Sequence, residues 1–404
     1  MRLGTSGFVG ARLKEAREAR GVTGVDLADM LSIKPQTVYA YQSGDASPSP
    51  QVMEAISDRL GFPLEYFRRP AVPQDTASIF WRANSSATRV AQLRAEVRLT
   101  WMKELMGYFR GYFDFPPVNM PPIQLKKDFR AWTGQEIEDA AVKCRHFWGL
   151  GDGPLPDVTG ELEANGVVVS SIKVGVDNLD AFSQWSTVDN TPYVILGLDK
   201  SSACRGRFDA AHELGHLILH KNVDRKRVND SKDWKTLEDQ AHRFASAFLM
   251  PADSFSKEVW APSLDTFIAM KRRWKASAAS MIMRCKYLGL INEDQEKRLW
   301  INRNRRGWQK SEPLDDKMER EATSLVPKAI AMLVDENVRR KEQILIDTCL
   351  PATDLEEVTS MPFGYFREKP APVIPIPKAF VFPSDQERGN GGGVVVPFGR
   401  AKGS

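Results

Sequence analysis

Cysteine is scarce in this chain of 404 residues: four, at positions 144, 204, 285 and 349. None belongs to a C-x-x-C pair, so neither a disulfide framework nor a cysteine-held zinc site is indicated. Long apolar runs are missing too. Met1 to Phe8 contain no apolar stretch of the signal-peptide kind, and nowhere do eighteen apolar residues follow one another. These absences argue against secretion and membrane insertion and predict a cytoplasmic protein. An excess of one charge sign is also lacking, since a net charge of +4 does not by itself announce nucleic-acid binding. Hydrophobic residues at 42% and charged ones at 27% are ordinary for a soluble protein. The length predicts two to four domains with sizeable cores.

Against this plain background one stretch stands out, Phe208-Asp209-Ala210-Ala211-His212-Glu213-Leu214-Gly215-His216-Leu217-Ile218-Leu219-His220. It holds H-E-x-x-H among small and apolar residues, with no Pro to interrupt a helix. On a helix, positions i and i+4 share a face, so His212 and His216 can aim at one ion about 2.0–2.1 Å away. Glu213, one residue on, sits where a general base for water belongs. Chance would place these three residue types together in such a chain at roughly the 1% level. The apolar surroundings bury the helix, and buried imidazoles need partners.

A mononuclear zinc site needs a third protein ligand and an open fourth position. His220 continues the stripe but lies two turns from His212, about 11 Å along the axis. It is expected to be a hydrogen-bonding residue near the helix end. The next helix runs Thr236 to Met250 and is stopped by Pro251. Its inward stripe is Ala241, Ala245 and Phe248, and Glu238 falls on it. Asp239 and Gln240 are turned off it by about 100° and 200°. A carboxylate facing a small-residue interface is costly unless paired or metal-bound. Glu238 is therefore the predicted third ligand, with Asp239 the alternative and His242 on the helix surface.

H-E-L-G-H-L-I-L-H, followed some twenty residues later by E-x-x-A-x-x-F-A-x-x-F-L-M-P, resembles the ImmA/IrrE family of zinc metallopeptidases. The family usually has Asn where His242 stands, a departure that touches no ligand. The resemblance implies a zincin-like domain with Zn2+ on His212, His216 and Glu238 and with Glu213 as base. The activity characterised for that family is cleavage of a partner helix-turn-helix repressor in bacteria and their phages.

Residues 8 to about 69 read as five short helices. Thr23 and Asp26 form a capping-box pattern, Pro35 opens a third helix, and Ser43-Gly44 closes it. Ala28 is small where the second and third helices would cross. The stretch resembles Xre-type domains, the class that includes phage repressors, in its Ala-x-x-Leu crossing, the Gly after the third helix and its Pro-Ser-Pro spacing. Lys34, Gln36, Thr37 and Tyr39 are the expected readers of double-stranded DNA, Gln36 being able to address adenine bidentately. Gly24 stands where such domains often carry a phosphate-binding Gln. Nine Lys/Arg against eight Asp/Glu over residues 1–69 leave a balance of only +1. A dimerisation or partner-contact role for this domain is the competing reading.

The chain as a whole is expected to be multidomain and mainly α. An all-α helix-turn-helix domain (1–69) leads through a helical connector (70–121) to an α+β zincin-like domain with a small antiparallel sheet (122–255). A basic helical subdomain (256–310), a small helical domain (311–367) and a Pro/Gly-rich tail (368–404), expected to be disordered, follow. In the connector, Leu93, Val97, Trp101, Leu105 and Tyr108 recur at helical spacing, as core or as the seam of a homodimer. The sheet strands are expected at 166–172, 180–185 and 192–198, and an edge strand is expected to hold an extended substrate by strand addition. Residues 271–310 carry twelve basic and three acidic residues, with Trp274, Trp300 and Trp308 among them. They form either a solvated basic face or a second surface for nucleic acid or an acidic partner. Two functions are compatible with all this. One is a DNA-binding regulator whose zinc endopeptidase cuts itself or a partner regulator. The other is a repressor or antitoxin, paired with a toxin, whose zinc domain is structural or sensing.

Overall fold

The amino-terminal helices begin and end where the sequence supplies caps. In the computed structural model, which describes residues 4–73, 75–83, 89–172, 179–198, 202–228 and 230–367, they are α1 (Gly10–Ala19), α2 (Gly24–Met30), α3 (Pro35–Ser43) and α4 (Pro50–Leu60). Thr23 Oγ1 accepts from the Asp26 amide while the Asp26 carboxylate accepts from the Thr23 amide, closing the capping box of α2. Gly44 and Gly61 end α3 and α4 in the left-handed region, at φ 85° and 66°, where only glycine is free of strain. Leu13, Ala16, Leu27, Ala28, Val38 and Ile56 are wholly buried between the helices. The expected tail, 368–404, lies outside the described residues.

Next come β1 (Ile79–Ala83), α5 (Arg89–Phe109), α6 (Gly134–Phe147), α7 (Val158–Ala164), β2 (Val168–Ile172), β3 (Leu179–Trp185) and β4 (Pro192–Gly197). The three strands expected from the sequence are joined by a fourth, β1, from the connector, and the sheet order is β1-β3-β4-β2. Two of the pairings are antiparallel, as expected, and β2 runs parallel to β4, so the sheet is mixed. In β1, Phe80 lies opposite Ser183 of β3. β3 therefore lies inside the sheet, whose edge strands are β1 and β2.

Alternation along β2, β3 and β4 divides most of the buried apolar residues between two cores, beside which Phe80, Phe129, Val228 and Leu237 form a smaller cluster. Val169, Ala181, Val194 and Leu196 face one core. It is built with α6, α7, α8 (Ala203–Leu219), α10 (Ser231–Leu249) and the helices that follow, α11 (Ala252–Glu258), α12 (Leu264–Trp274), α13 (Ala278–Tyr287) and α14 (Glu293–Arg305); α9 (Arg225–Val228) precedes α10. Val168, Ile172, Phe182, Tyr193 and Ile195 face the other. There they meet α1 to α5 and the closing helices α15 (Leu325–Asp335), α16 (Lys341–Thr348) and α17 (Ala352–Val358). The stripe Val97, Trp101 and Leu105 of α5 is spent on this second core.

The four amino-terminal helices are thus docked and not tethered. Arg12, 1% exposed, pairs with Glu15 of its own helix and with Glu104 of α5. Glu15 also accepts from Trp101 Nε1 at 2.6 Å and from the Tyr66 hydroxyl at 2.7 Å. Arg20 meets Asp354 of α17 through two 2.7 Å hydrogen bonds. A buried charge group of this kind is destabilising if any one partner is removed, by about 3–5 kcal/mol, so it fixes the orientation of the amino-terminal helices on the sheet. All four cysteines are free thiols.

Candidate metal centre

Two helices carry the site, and small residues let them meet. α8 starts at Ser202, whose hydroxyl accepts from the Arg205 amide, and α10 at Asp230, which accepts from the amides of Lys232 and Asp233. Where the helices cross, a Cβ on Gly215 would stand 3.2 Å from Ala241 Cα and from Phe244 Cβ. A side chain there would push its neighbours apart by a few tenths of an ångström, so glycine suits this close approach of α8 and α10. The close approach sets His212 and His216 of α8 against Glu238 of α10.

His216 Nε2 lies 3.1 Å from His212 Nε2 and 3.1 Å from Glu238 Oε1, and His212 Nε2 lies 3.4 Å from Glu238 Oε1. Ligands about 2.0–2.1 Å from one tetrahedral ion are spaced by about 3.3 Å. The three donors therefore fit a single zinc-sized ion, and two nitrogens with one carboxylate oxygen are a donor set that zinc accepts. Both imidazoles are completely buried, whereas the Glu238 side chain keeps 16% exposure, so the group opens to solvent on its carboxylate side. Burial raises the Glu238 carboxyl, but hydrogen bonds and charge from His212 and His216 outweigh it. The group is held well below the usual carboxylate range, in its ligating form.

Glu213 is fully buried and accepts a 2.6 Å hydrogen bond at Oε2 from Ser183 Oγ of β3. The sheet thus holds the carboxylate that the helix presents. Ser183 was not singled out in the sequence, although a hydroxyl two residues from the inward Ala181 was a usable signal. His220 caps α8, and burial together with its neighbour His216 pushes its imidazole down to about 3. It stands 3.0 Å from His216, Nδ1 to Nδ1, and 2.8 Å from Gln240 Oε1 through Nε2. Phe80 of β1 stacks on the His216 ring at 4.8 Å with planes 12° apart, and Trp234 lies parallel to it at 6.2 Å.

His242 corrects the sequence expectation. It is half-buried, not a surface residue, and its ring centre is 4.5 Å from that of His212. Ligand atoms of His212, Glu238 and His242 all fall within 4.8 Å of one another. His216 is the nearer partner of the pair. His242 Nδ1 donates to the Glu238 carbonyl at 2.7 Å. Asp239 is exposed and, with His242, Phe208, Tyr287, Trp300 and Trp308, lines a cavity of about 510 Å³. Arg284 has no access to this cleft: it is fully buried, giving Nε to the Met250 carbonyl and Nη1 to Glu138, each at 2.7 Å.

Much of the charge counted in 271–310 is spent internally. Lys271 pairs with Glu312 and Asp315, Arg273 with Glu258, Lys286 with Glu296, Arg303 with Glu312 and Arg306 with Asp265. Trp274 is buried, and Trp300 and Trp308 form part of the cavity wall.

In the amino-terminal helices Lys34 is the N-cap of α3. Lys34 and Gln36 are exposed, Thr37 is half-buried, and Tyr39 is 51% exposed. A Cβ on Gly24 would stand 2.7–2.8 Å from the Tyr39 ring, so any side chain at 24 would displace that ring.

No helix among the described residues is long and apolar enough to cross a membrane. Residues 162–286 match the M78 peptidase family in its IrrE N-terminal-like domain, and residues 13–67 match the helix-turn-helix family. A segment of 56 residues is 39% identical to the endothelial differentiation-related factor 1 homolog of Gallus gallus and 38% identical to endothelial differentiation-related factor 1 of Homo sapiens. That segment is 14% of this chain and 38% of each relative, so the likeness covers well under half of those proteins. The chain therefore joins an Xre-type helix-turn-helix domain to a metallopeptidase-type domain of the M78, IrrE-like family.

Proposed function

We propose that this chain is a DNA-binding transcriptional regulator whose second domain is a zinc-dependent endopeptidase acting on itself or on a partner regulator. The observation that carries the reading is the mutual spacing of His212, His216 and Glu238 beside a buried Glu213. These three side chains would hold the ion. Zinc held there would supply Lewis acidity, acidifying water and polarising a carbonyl. Glu213, steadied by Ser183, takes the proton of the attacking water and returns it to the leaving amine. The cavity beside His242 and Asp239 supplies room for the substrate chain, while Phe80 closes the flank at His216. Purified chain holding about one zinc and cutting itself or a co-expressed repressor is the expected result. Metal-loaded chain that cuts neither would remove the endopeptidase reading.

A second reading, a repressor or antitoxin with a structural or sensing zinc domain, is favoured by one observation. His242 stands close enough to His212 and Glu238 to be considered as a fourth ligand, and a closed site would not turn over.

The DNA half rests on α3. Gln36 is exposed near its start and is assigned a base edge, with Lys34, Thr37 and Tyr39 beside it. Replacing Gln36 by Ala should cost about 1–3 kcal/mol on the cognate operator and relax the preference at one base pair. Fluorescence anisotropy against an operator and its single-base variants measures this. Equal losses on all sequences would assign Gln36 to the phosphate backbone instead. Such a regulator works where the chromosome is, which accords with the cytoplasmic location expected from the sequence.

A further inference from the structure

We infer that the cavity beside the metal centre is the specificity pocket of the endopeptidase, and that it takes a tyrosine side chain of the substrate next to the bond that is cut. The inference rests on the peptidase reading and deepens it. Helical spacing joins the cavity to the site. On α10, Glu238, His242 and Ser246 follow one another at four-residue steps, and on α8 Phe208 stands one turn before His212. The faces that hold the ion therefore run on into the cavity, which Phe208, His242 and Ser246 all line. The rings of Phe208 and His242 are 5.8 Å apart. Further lining comes from Met283 and Tyr287 of α13, Trp300 of α14 and Trp308. From Tyr287 onward it lies beyond residues 162–286, so this part of the pocket is not drawn from the segment that matches the M78 family.

Three features of the lining specify the guest. Phe208, Tyr287, Trp300 and Trp308 supply four aromatic rings and Met283 a thioether, all of which favour contact with another ring. The charge is close to balanced: Arg205, Arg303 and Lys310 stand against Asp239, Glu312 and Asp315, and the buried Lys271 paired with the last two adds a single cation. No strong field selects a charged guest. At the floor, Ser246 is 1% exposed, and its Oγ has no hydrogen-bond partner among the described residues. A buried hydroxyl left so is costly, and a guest with a polar tip relieves it. Tyrosine joins an aromatic body to a hydroxyl that can give or take that bond.

The test gives the zinc-loaded full chain a library of peptides randomised in sequence and maps the cuts by mass spectrometry. One position beside the cut should be held by aromatic residues, with tyrosine favoured over phenylalanine by about 2–10-fold, the effect of one net hydrogen bond. Ser246→Ala should bring the two to parity and keep the aromatic preference. Ala279→Phe, which sets a ring into the cavity from α13, should shift the preference to small side chains. Binding is read apart from cleavage, by saturation-transfer NMR of N-acetyl-tyrosine amide on the zinc-free chain. The amide should bind wild type and be lost in Ala279→Phe. If Ala279→Phe fails to fold, the wild-type cuts and Ser246→Ala still decide. Cutting with no aromatic preference overturns the inference. So does a tyrosine-to-phenylalanine ratio that Ser246→Ala leaves unchanged, or an amide bound equally by wild type and Ala279→Phe. Should the amide bind as stated while the zinc-loaded chain cuts no peptide, the endopeptidase reading fails and the cavity stands as an aromatic-binding site.

Discussion

Changing Glu213 to Gln leaves the fold and the bound metal in place and lowers peptide cleavage by about a hundred- to ten-thousandfold, the usual contribution of a positioned general base. The amide is nearly the same size as the carboxylate, and Glu213 is not one of the three donors that converge at 3.1–3.4 Å. Its Oε2 already accepts from Ser183 Oγ at 2.6 Å, and a Gln oxygen can accept the same bond. Only the capacity to take a proton disappears. Zinc content is measured on the same preparation as cleavage of the chain or of a co-expressed regulator. A variant that retains metal and cuts as wild type would falsify the base assignment. If wild type and variant agree in every function, the antitoxin or sensing reading takes over.

Changing Glu238 to Ala has the opposite pattern, with the metal lost first and activity lost as a consequence. The carboxylate is the one oxygen donor of the group and the one that faces solvent. Without it two imidazoles remain, and a two-ligand site does not hold zinc in a closed tetrahedral manner. In wild type, zinc at about a hundred times its dissociation constant should add about 2.7 kcal/mol to stability, because only the folded chain presents the three donors together. In Glu238→Ala the increment should vanish. Thermal unfolding of metal-free and zinc-supplemented protein measures it. An unchanged zinc-dependent shift in the variant would move the third ligand elsewhere, with His242 the first candidate.

The parts of this site that could be read from the sequence are those set by one helix at a time. His212 and His216 follow from i, i+4 spacing, and Glu238 from its place on the Ala241–Ala245 stripe. His242 was readable by the same arithmetic, being four residues beyond Glu238 and so on the same face one turn later. What was hidden depends on contacts between distant segments. β1 pairs Ile79 with Gln184, about a hundred residues away, and no local pattern of five residues announces its partner. Gln240 is turned off the inward stripe of α10, yet it is buried because the backbone at Phe129 packs over that second side of the helix. The charge count over 271–310 misled for a related reason. Most of the acids that pair with that segment, Glu258, Asp265, Glu312 and Asp315 among them, lie outside the window in which it was taken.

The amino-terminal domain was legible through its caps and turn glycines, but its attachment was not. Glu15, Trp101, Glu104 and Asp354 come from three separate regions, and only the assembled fold puts Arg12 and Arg20 among them.

The central claim is that two imidazoles and one carboxylate hold a single zinc ion and leave it a free position. X-ray absorption at the zinc edge of the loaded full-length chain tests this most directly, because it counts imidazole neighbours. Two are expected, His212 and His216, with the remaining neighbours oxygen at about 2.0–2.1 Å. Three imidazoles would contradict it, since a third ring, with His242 the one at hand, would make four protein ligands with Glu238 and leave no place for water.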